Sequence, residues 1–558
     1  MTKIIKKYKK ETKGFFGIDM TAPFGEGGCE DIQNFRMTSS GALVKRTGRK
    51  NMRSFQTYVC SVIPYRIEKD FQITDMLVAA PPYVYELDKN GDICRTLCSD
   101  AGLAWERVCL GFIGGVPHLF DGTNIRAYDK DTDSFFKVTP YVPLYGKDWD
   151  PSTLGEIHEP PNILTNSIRV SYTATESANK LRLPHGYAFS EGTKNGKPLS
   201  SYSFNEETGT LTVSMEKGDK FELTAYGQNH PLLNALRACR SFCTVGGEDE
   251  HVICFDSELD GSALFCSSPT SDGALYFRED MRVRAGSDEN PVTAVCPCGD
   301  GFAAATESNT FLGSFDGTRV DLFLLCGGIG SRSRAALCSD MRNIYTISEG
   351  GFYRIEVNFS APGESKSEKI SAPLERDGHL RTDRDSLIFD NEPDGELWFC
   401  LPQSIFIYQK KLKGFCRFIG MSPVAVLTQG DGILLFEHRG YWRFFDNLYF
   451  DIDSEGSEQP IYARLTTRWT ALGDITAQKR GLTVTPVFSL EGGDGFTLSV
   501  KTDTGLNEDF KIVSKNAYSE LIIKKLRAAR CRFNFARFEI TSNDKTRLTV
   551  HGAVITAT

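Results

Sequence analysis

Short apolar or alternating runs, each closed by a Gly, Asp or Asn turn, recur along almost the whole of this 558-residue chain. A period of two places successive side chains on opposite faces, so such runs read as half-buried strands, and tight turns between them read as antiparallel hairpins. Residues 75–94 (DMLVAAPPYVYELDKNGDIC) give a strand, a Pro81-Pro82 break, a second strand and an Asn90-Gly91 hairpin signal. Residues 107–138 repeat the pattern four times, with turns at Gly114-Gly115, Asp121-Gly122 and an Asp-rich stretch, which is the chain length of one propeller blade. Comparable segments follow from His251 to Phe445 at a loose spacing of about 40–50 residues, the period that blades require.

The expected fold is therefore all-β: a β-propeller with an inserted β-sandwich-like module and a C-terminal β-sandwich. Residues 1–20 read as a basic arm, 21–149 as the first blades, 150–230 as the inserted module, 231–450 as the remaining blades and 459–558 as the terminal domain. The insertion opens at a Pro pair and holds a hairpin around Thr208-Gly209. PLLNALRACRSF from Pro231 is the best helix candidate, with Leu232, Leu233, Ala235 and Leu236 on one face. Residues 360–385, polar and rich in Ser, Pro and Gly, read as a long excursion.

Composition narrows the function classes. No window approaches the roughly 20 apolar residues of a spanning helix, and the basic N-terminus is not followed by the apolar stretch of a secretory signal, so folding in the cytoplasm is expected. The 16 cysteines mostly sit inside apolar strand-like runs, as at Cys109, Cys254 and Cys400, and read as reduced, buried thiols. Residues 1–458 carry 49 basic and 63 acidic side chains, a net of -14, whereas 459–558 carry 15 and 9, a net of +6. An acidic body thus bears a basic end.

Each catalytic or metal signature fails at a named residue. Cys94/Cys98, Cys239/Cys243 and Cys296/Cys298 lack zinc-knuckle spacing, and His118 and His251 complete no ligand set. Asp129, Asp131 and Asp133 open like a calcium loop, but Ser134 stands where glycine belongs and Pro140 where the bidentate glutamate belongs. CGGIGSRSR from Cys326 lacks the lysine of a phosphate loop, and no G-x-S-x-G elbow occurs. No cofactor, metal or catalytic residue is expected. Paired carboxylates drawn from different blades would leave no linear signature, which keeps a β-propeller glycoside hydrolase or carbohydrate-binding adhesin as the alternative reading.

The basic stretch KKLRAARCRFNFAR holds Lys524, Lys525, Arg527, Arg530, Arg532 and Arg537. Alternation of Arg530 and Arg532 with Cys531 and Phe533 explains the charges as one outward strand face, which could meet a neighbouring subunit or DNA phosphates. The overall acidity opposes tight nucleic-acid binding.

The N-terminal sequence GFFGIDMTAPFGEGGCEDIQNFRMTSSGALVKRTGRK resembles the opening of phage tail proteins of the nozzle and packaged-DNA stabilisation type. The features that carry the resemblance are Gly17, Ile18 and Asp19, then Asn34 with Phe35, then Gly41, Leu43, Arg46 and Gly48. The segment from His251 through Asn290 to Gly317 is similar to the mid-propeller part of such proteins, and TTRWTALG, KRGLTV, FARFEI and VHGAVI resemble their terminal β-domain. The resemblance implies a non-enzymatic virion component: a homo-oligomeric ring, usually of six copies, that lines the DNA exit channel and docks to portal or adaptor and to fibre or spike proteins. Double-stranded DNA would pass through transiently, and an acidic wall would let it slide where a basic wall would grip it.

Overall fold

The computed structural model describes residues 8–12, 14–21, 28–67, 72–100, 102–104, 108–149, 156–246, 250–268, 274–316, 319–375, 380, 382–430, 432–473, 475–491, 495–513, 520–528 and 532–557. The chain divides into two compact units, one of residues 1–105, 328–358 and 364–558, the other of residues 106–327 and 359–363.

Among the described residues, six four-stranded antiparallel meanders and one three-stranded meander recur, and each is a propeller blade. The first unit holds those at 61–99, 337–369, 387–419 and 423–445, and the second those at 109–137, 239–284 and 292–327. The protein is all-β, of propeller type, with an inserted two-sheet module and a terminal two-sheet domain. Middle strands such as Gly301–Thr306 and Glu396–Leu401 are buried along their whole length, as strands covered on both faces must be. The turns use the residues the sequence supplies: at Asn90-Gly91, Asp88 accepts the backbone N–H groups of Asn90 and Asp92, both at 2.8 Å, and Gly91 takes φ +87°.

The 423–445 meander supplies only three strands, and Gly48–Ser54 enters as its fourth, antiparallel to Gly440–Phe445 with Tyr441 opposite Arg53 and Phe444 opposite Arg49. The blades therefore begin at Gly48. The described residues of 8–45, expected to be a basic arm and the start of a first blade, belong instead to the terminal domain. Tyr8–Thr12 and Leu43–Lys45 pair with the final strand Arg547–Ala557, and Cys29–Gln33 pairs with Ala463–Thr467. The physical reason is that 459–558 alone does not complete its sheets, so the N-terminal strands fill the vacant ladder positions. Of the arm's lysines, Lys9 and Lys10 lie on Tyr8–Thr12, while Lys3, Lys6, Lys7 and Lys13 lie outside the described residues.

The terminal domain packs the sheet built on Leu482–Glu491 and Arg547–Ala557 against the sheet built on Ala463–Thr467, Phe535–Ser542 and Phe496–Thr502. Leu482–Glu491 alternates buried and half-buried residues at every position, the pattern of a strand facing one core. The second sheet does not stop at the domain border, since Cys29–Gln33 runs parallel to Gly414–Ile419 and joins it to the 387–419 blade.

Two expectations need correction. The 360–385 excursion contains a strand, Lys366–Lys369, that completes the 337–369 blade as its outer edge. The helix from Pro231 is confined to Leu233–Arg237, because Cys239–Val245 is taken as a strand of the next blade. Residues 144–226 form the inserted module, with a five-stranded and a three-stranded sheet enclosing Phe221, Leu223, Leu211 and Leu181. The fifteen described cysteines are free thiols, and burial pushes Cys243 and Cys416 up to about 12. Asp129 and Asp133 serve the blade turn, Asp129 accepting Asp131 N–H at 2.9 Å and Asp133 accepting the Tyr128 hydroxyl.

Candidate functional site: a buried clamp and an open sheet edge

The residues singled out in the N-terminal motif converge on one buried region of the first unit. Gly17 sits at φ +94° against the chain of Gly414 and Phe415, where a Cβ would lie 2.5 Å from the Phe415 nitrogen. This close approach lets Ile18 N–H reach the Phe415 carbonyl at 2.8 Å and Cys29 N–H reach the Gly17 carbonyl at 2.9 Å. Asp19 pairs with Arg468 and accepts the Thr21 hydroxyl at 2.6 Å, tying the segment to the terminal domain. Gly41, at φ +83°, accepts Phe15 N–H at 2.9 Å, and Leu43 is wholly buried.

Asn34, in the left-handed region at φ 54°, acts as a four-way junction. Its amide donates to the Tyr462 carbonyl at 2.8 Å, its Oδ1 accepts from Ile419 N–H and Arg46 Nε, and its own N–H meets the Arg417 carbonyl. Arg46 then grips Asp451 with two hydrogen bonds of 2.9 and 2.6 Å. Arg49 continues the chain to Glu437 at 2.9 Å, with its guanidinium 4.1 Å from the Trp442 ring centre. Burial pushes the Asp451 carboxyl up, but the hydrogen bonds and charge of Arg46 outweigh it and hold the group below the usual carboxylate range. Gly48 lies against the Phe450 carbonyl, where no side chain fits. The arrangement is a clamp: Asn34, Arg46 and Asp451 are spent on one another and on backbone.

Beside the clamp lies a cleft of about 820 Å³. Its most buried acid, Glu396, is held by Arg36 at 2.7 and 2.9 Å and by the Trp398 indole at 3.0 Å, and Asp394 pairs with the same arginine. Lys45, buried at the cleft wall, donates to the Asp544 carbonyl, and burial pushes its ammonium down to about 8. An ammonium that loses its proton more readily when folded penalises the native state while charged. Its cost is full below pH 8 and is relieved as pH rises from about 8 towards the unfolded value of about 10.4. The stability difference between the wild type and Lys45→Met should therefore change in favour of the wild type by about 3 kcal/mol over that interval, read from urea midpoints at pH 8 and 10.5. A constant difference would contradict the assignment.

The basic residues near the C-terminus lie on or beside three short strands, Arg527 opposite Thr483 and Arg532 opposite Arg480. Lys524 and Lys525 are exposed directly after the strand Glu520–Ile523, Arg527 is exposed on Leu526–Arg527, and Arg532 lies exposed on the short strand Arg532–Phe533. Arg530 lies outside the described residues. Glu520–Ile523 pairs only with Leu482–Glu491, so among the described residues its other edge is open. That edge strand bears Leu521 at 62% exposure and Ile523 at 65%. An exposed apolar edge next to lysines is a surface built to pair or to be protected from pairing. Asp451, Glu437 and Tyr462, the partners that make the motif a clamp, carried no sequence signal, since they lie some 390–430 residues away.

No family model and no curated protein matches the sequence. Among solved structures, the chain is similar to the AfRom2 CNH domain, at 8% identity and TM-score 0.36 over 71% of this chain and 99% of that one. It is also similar to apo AztD from Citrobacter koseri, at 10% identity and TM-score 0.29, covering 65% and 88%. A third similarity is to an exo-β-1,3-galactanase from Phanerochaete chrysosporium with galactose, at 10% identity and TM-score 0.24, covering 56% and 95%.

Proposed function

We propose that this protein is a structural component that works by docking, a phage tail nozzle or DNA-stabilisation subunit that assembles with copies of itself in the virion. The observation that carries the reading is the edge at Glu520–Ile523, open among the described residues, where Leu521 and Ile523 stand exposed and Lys524, Lys525 and Arg527 follow. Apolar contact with a basic border suits an acidic partner, and the -14 of residues 1–458 makes a second copy such a partner. A contact between unlike patches of identical subunits is head-to-tail, and it closes into a ring when the rotation permits. The saturated state of Glu396 and Asp394 argues against this one cleft as a hydrolase site, which needs a carboxylate free to move a proton. Portal or adaptor proteins, fibres or spikes, and passing DNA are the remaining partners of this reading.

Rings should be visible by negative-stain microscopy and by light scattering at low ionic strength, and should dissociate as salt is raised, because the attraction is screened over about 8–10 Å near 0.1 M. The triple variant Lys524→Glu, Lys525→Glu, Arg527→Glu should remain folded and monomeric. A wild-type monomer at every salt concentration would end the nozzle reading, while rings indifferent to both salt and substitution would relocate the interface away from this edge.

A further inference from the structure

A second surface, in the inserted module of the other unit, serves none of this. The five-stranded sheet of the module places Arg169, Thr224 and Glu191 side by side in one row across three strands, and Ser171, Glu222 and Thr193 in the next. Val170 and Leu223, one residue away, point into the module's core. A cleft of about 660 Å³ opens over this region, within the range of about 300–1,000 Å³ typical of small-ligand sites. Its wall includes Tyr202, which is 48% exposed and stands edge-on against Phe189 with ring centres 4.8 Å apart. The ring is thereby braced by Phe189 while about half of the residue remains exposed.

The polar groups in the cleft are of two kinds. Arg169 is fixed, its Nε donating to the Val142 carbonyl at 3.0 Å, and Ser171 Oγ accepts Asp148 N–H at 3.1 Å. Glu191, Thr193, Glu222 and Thr224 make no side-chain hydrogen bond or ion pair among the described residues, so their acceptors and hydroxyls are free for a ligand. Lys147 and Arg169 offset most of the charge of Asp148, Glu191 and Glu222, so the cleft presents paired acceptors without a strong field of either sign.

We infer that this cleft binds a neutral oligosaccharide. A pyranose has an apolar C–H face that stacks on an aromatic ring and a rim of hydroxyls that donate in pairs to carboxylates, and the lining of the cleft includes one such ring and two such carboxylates. The inference goes beyond the docking reading and is independent of it, because ring assembly and glycan capture are read by different measurements.

The test applies the full chain to an array of immobilised neutral oligosaccharides, followed by calorimetry with the glycan retained. Saturable binding is expected, weakened at least about tenfold by Tyr202→Ala and by Glu191→Gln with Glu222→Gln, the scale of one lost aromatic or charge-assisted contact. Glu207→Gln, on an exposed turn outside the cleft, should bind as the wild type does, and unchanged circular dichroism would show that all variants fold. Absence of binding to every neutral glycan, binding that survives both cleft variants, or capture of a deca-lysine peptide in place of glycans would overturn the inference.

Discussion

Replacing Arg46 by alanine should lower the stability of the unit that contains it by about 3–5 kcal/mol, the usual cost of removing one partner of a buried ion pair. Arg46 is 5% exposed and Asp451 is 21% exposed at the side chain, and their two hydrogen bonds are the centre of the clamp. The variant leaves the Asp451 carboxylate with only the Arg49 backbone N–H at 3.0 Å and a distant Arg49 guanidinium at 4.0 Å. Asn34 loses a donor to its Oδ1 in the same step. The expected readout is a lower urea midpoint with loss of the Gly48–Ser54 strand from its sheet, followed by hydrogen exchange at residues 48–54. A paired change, Arg46→Met with Asp451→Leu, should recover much of the loss, since it removes both charges instead of stranding one. Equal losses in the single and paired variants would show that the ion pair is not what holds this junction.

The second large effect is expected at Gly17. Alanine there meets two penalties, the left-handed backbone at φ +94° and a Cβ 2.5 Å from the Phe415 nitrogen and 2.7 Å from the Gly414 Cα. Backbone strain alone costs about 1–3 kcal/mol, and the overlap is with main chain that cannot rotate away. Gly41→Ala is the matched control, because φ is +83° but the nearest atoms are 3.4 Å away. It should cost only the conformational part, about 1–2 kcal/mol. Gly17→Ala should therefore unfold at clearly lower urea than Gly41→Ala, and equal midpoints would refute the close-approach argument.

The strand grammar was readable because each blade is built from local hairpins, and hairpins write their turns and periods into adjacent residues. LTVTPVFSLE predicts its own alternation, and Asn90-Gly91 its own turn. The outer strand Lys366–Lys369 has no signature in the sequence, because three of its four residues are exposed and no apolar period marks it. The sequence PLLNALRACRSF has helical periodicity throughout, but Cys239–Val245 pairs with His251–Ser257 along its length, and that ladder overrides the local preference. The motif from Gly17 to Gly48 was legible as a set of special residues without its purpose. Glycines at tight approaches and a left-handed asparagine are local facts, whereas Asp451 and Tyr462 are joined to them only by the folded chain. The basic stretch was similarly half-legible: Arg532 is exposed and Phe533 buried, yet the exposed Leu521 and Ile523 look like core residues until the open edge beside them is known.

The strand Gly48–Ser54 has a consequence for biosynthesis. Its partner surface, reached for example through Glu437, is translated 388 residues after Arg49. At about 5–20 residues per second the nascent segment waits on the order of 20–80 seconds before its neighbour leaves the ribosome. During that interval its hydrogen-bonding edge is unsatisfied and open to strands from other nascent chains. Polysomes making this protein would thus hold several copies of one unmatched strand in close proximity, and emergence of Gly440–Phe445 is what allows each to find its own mate.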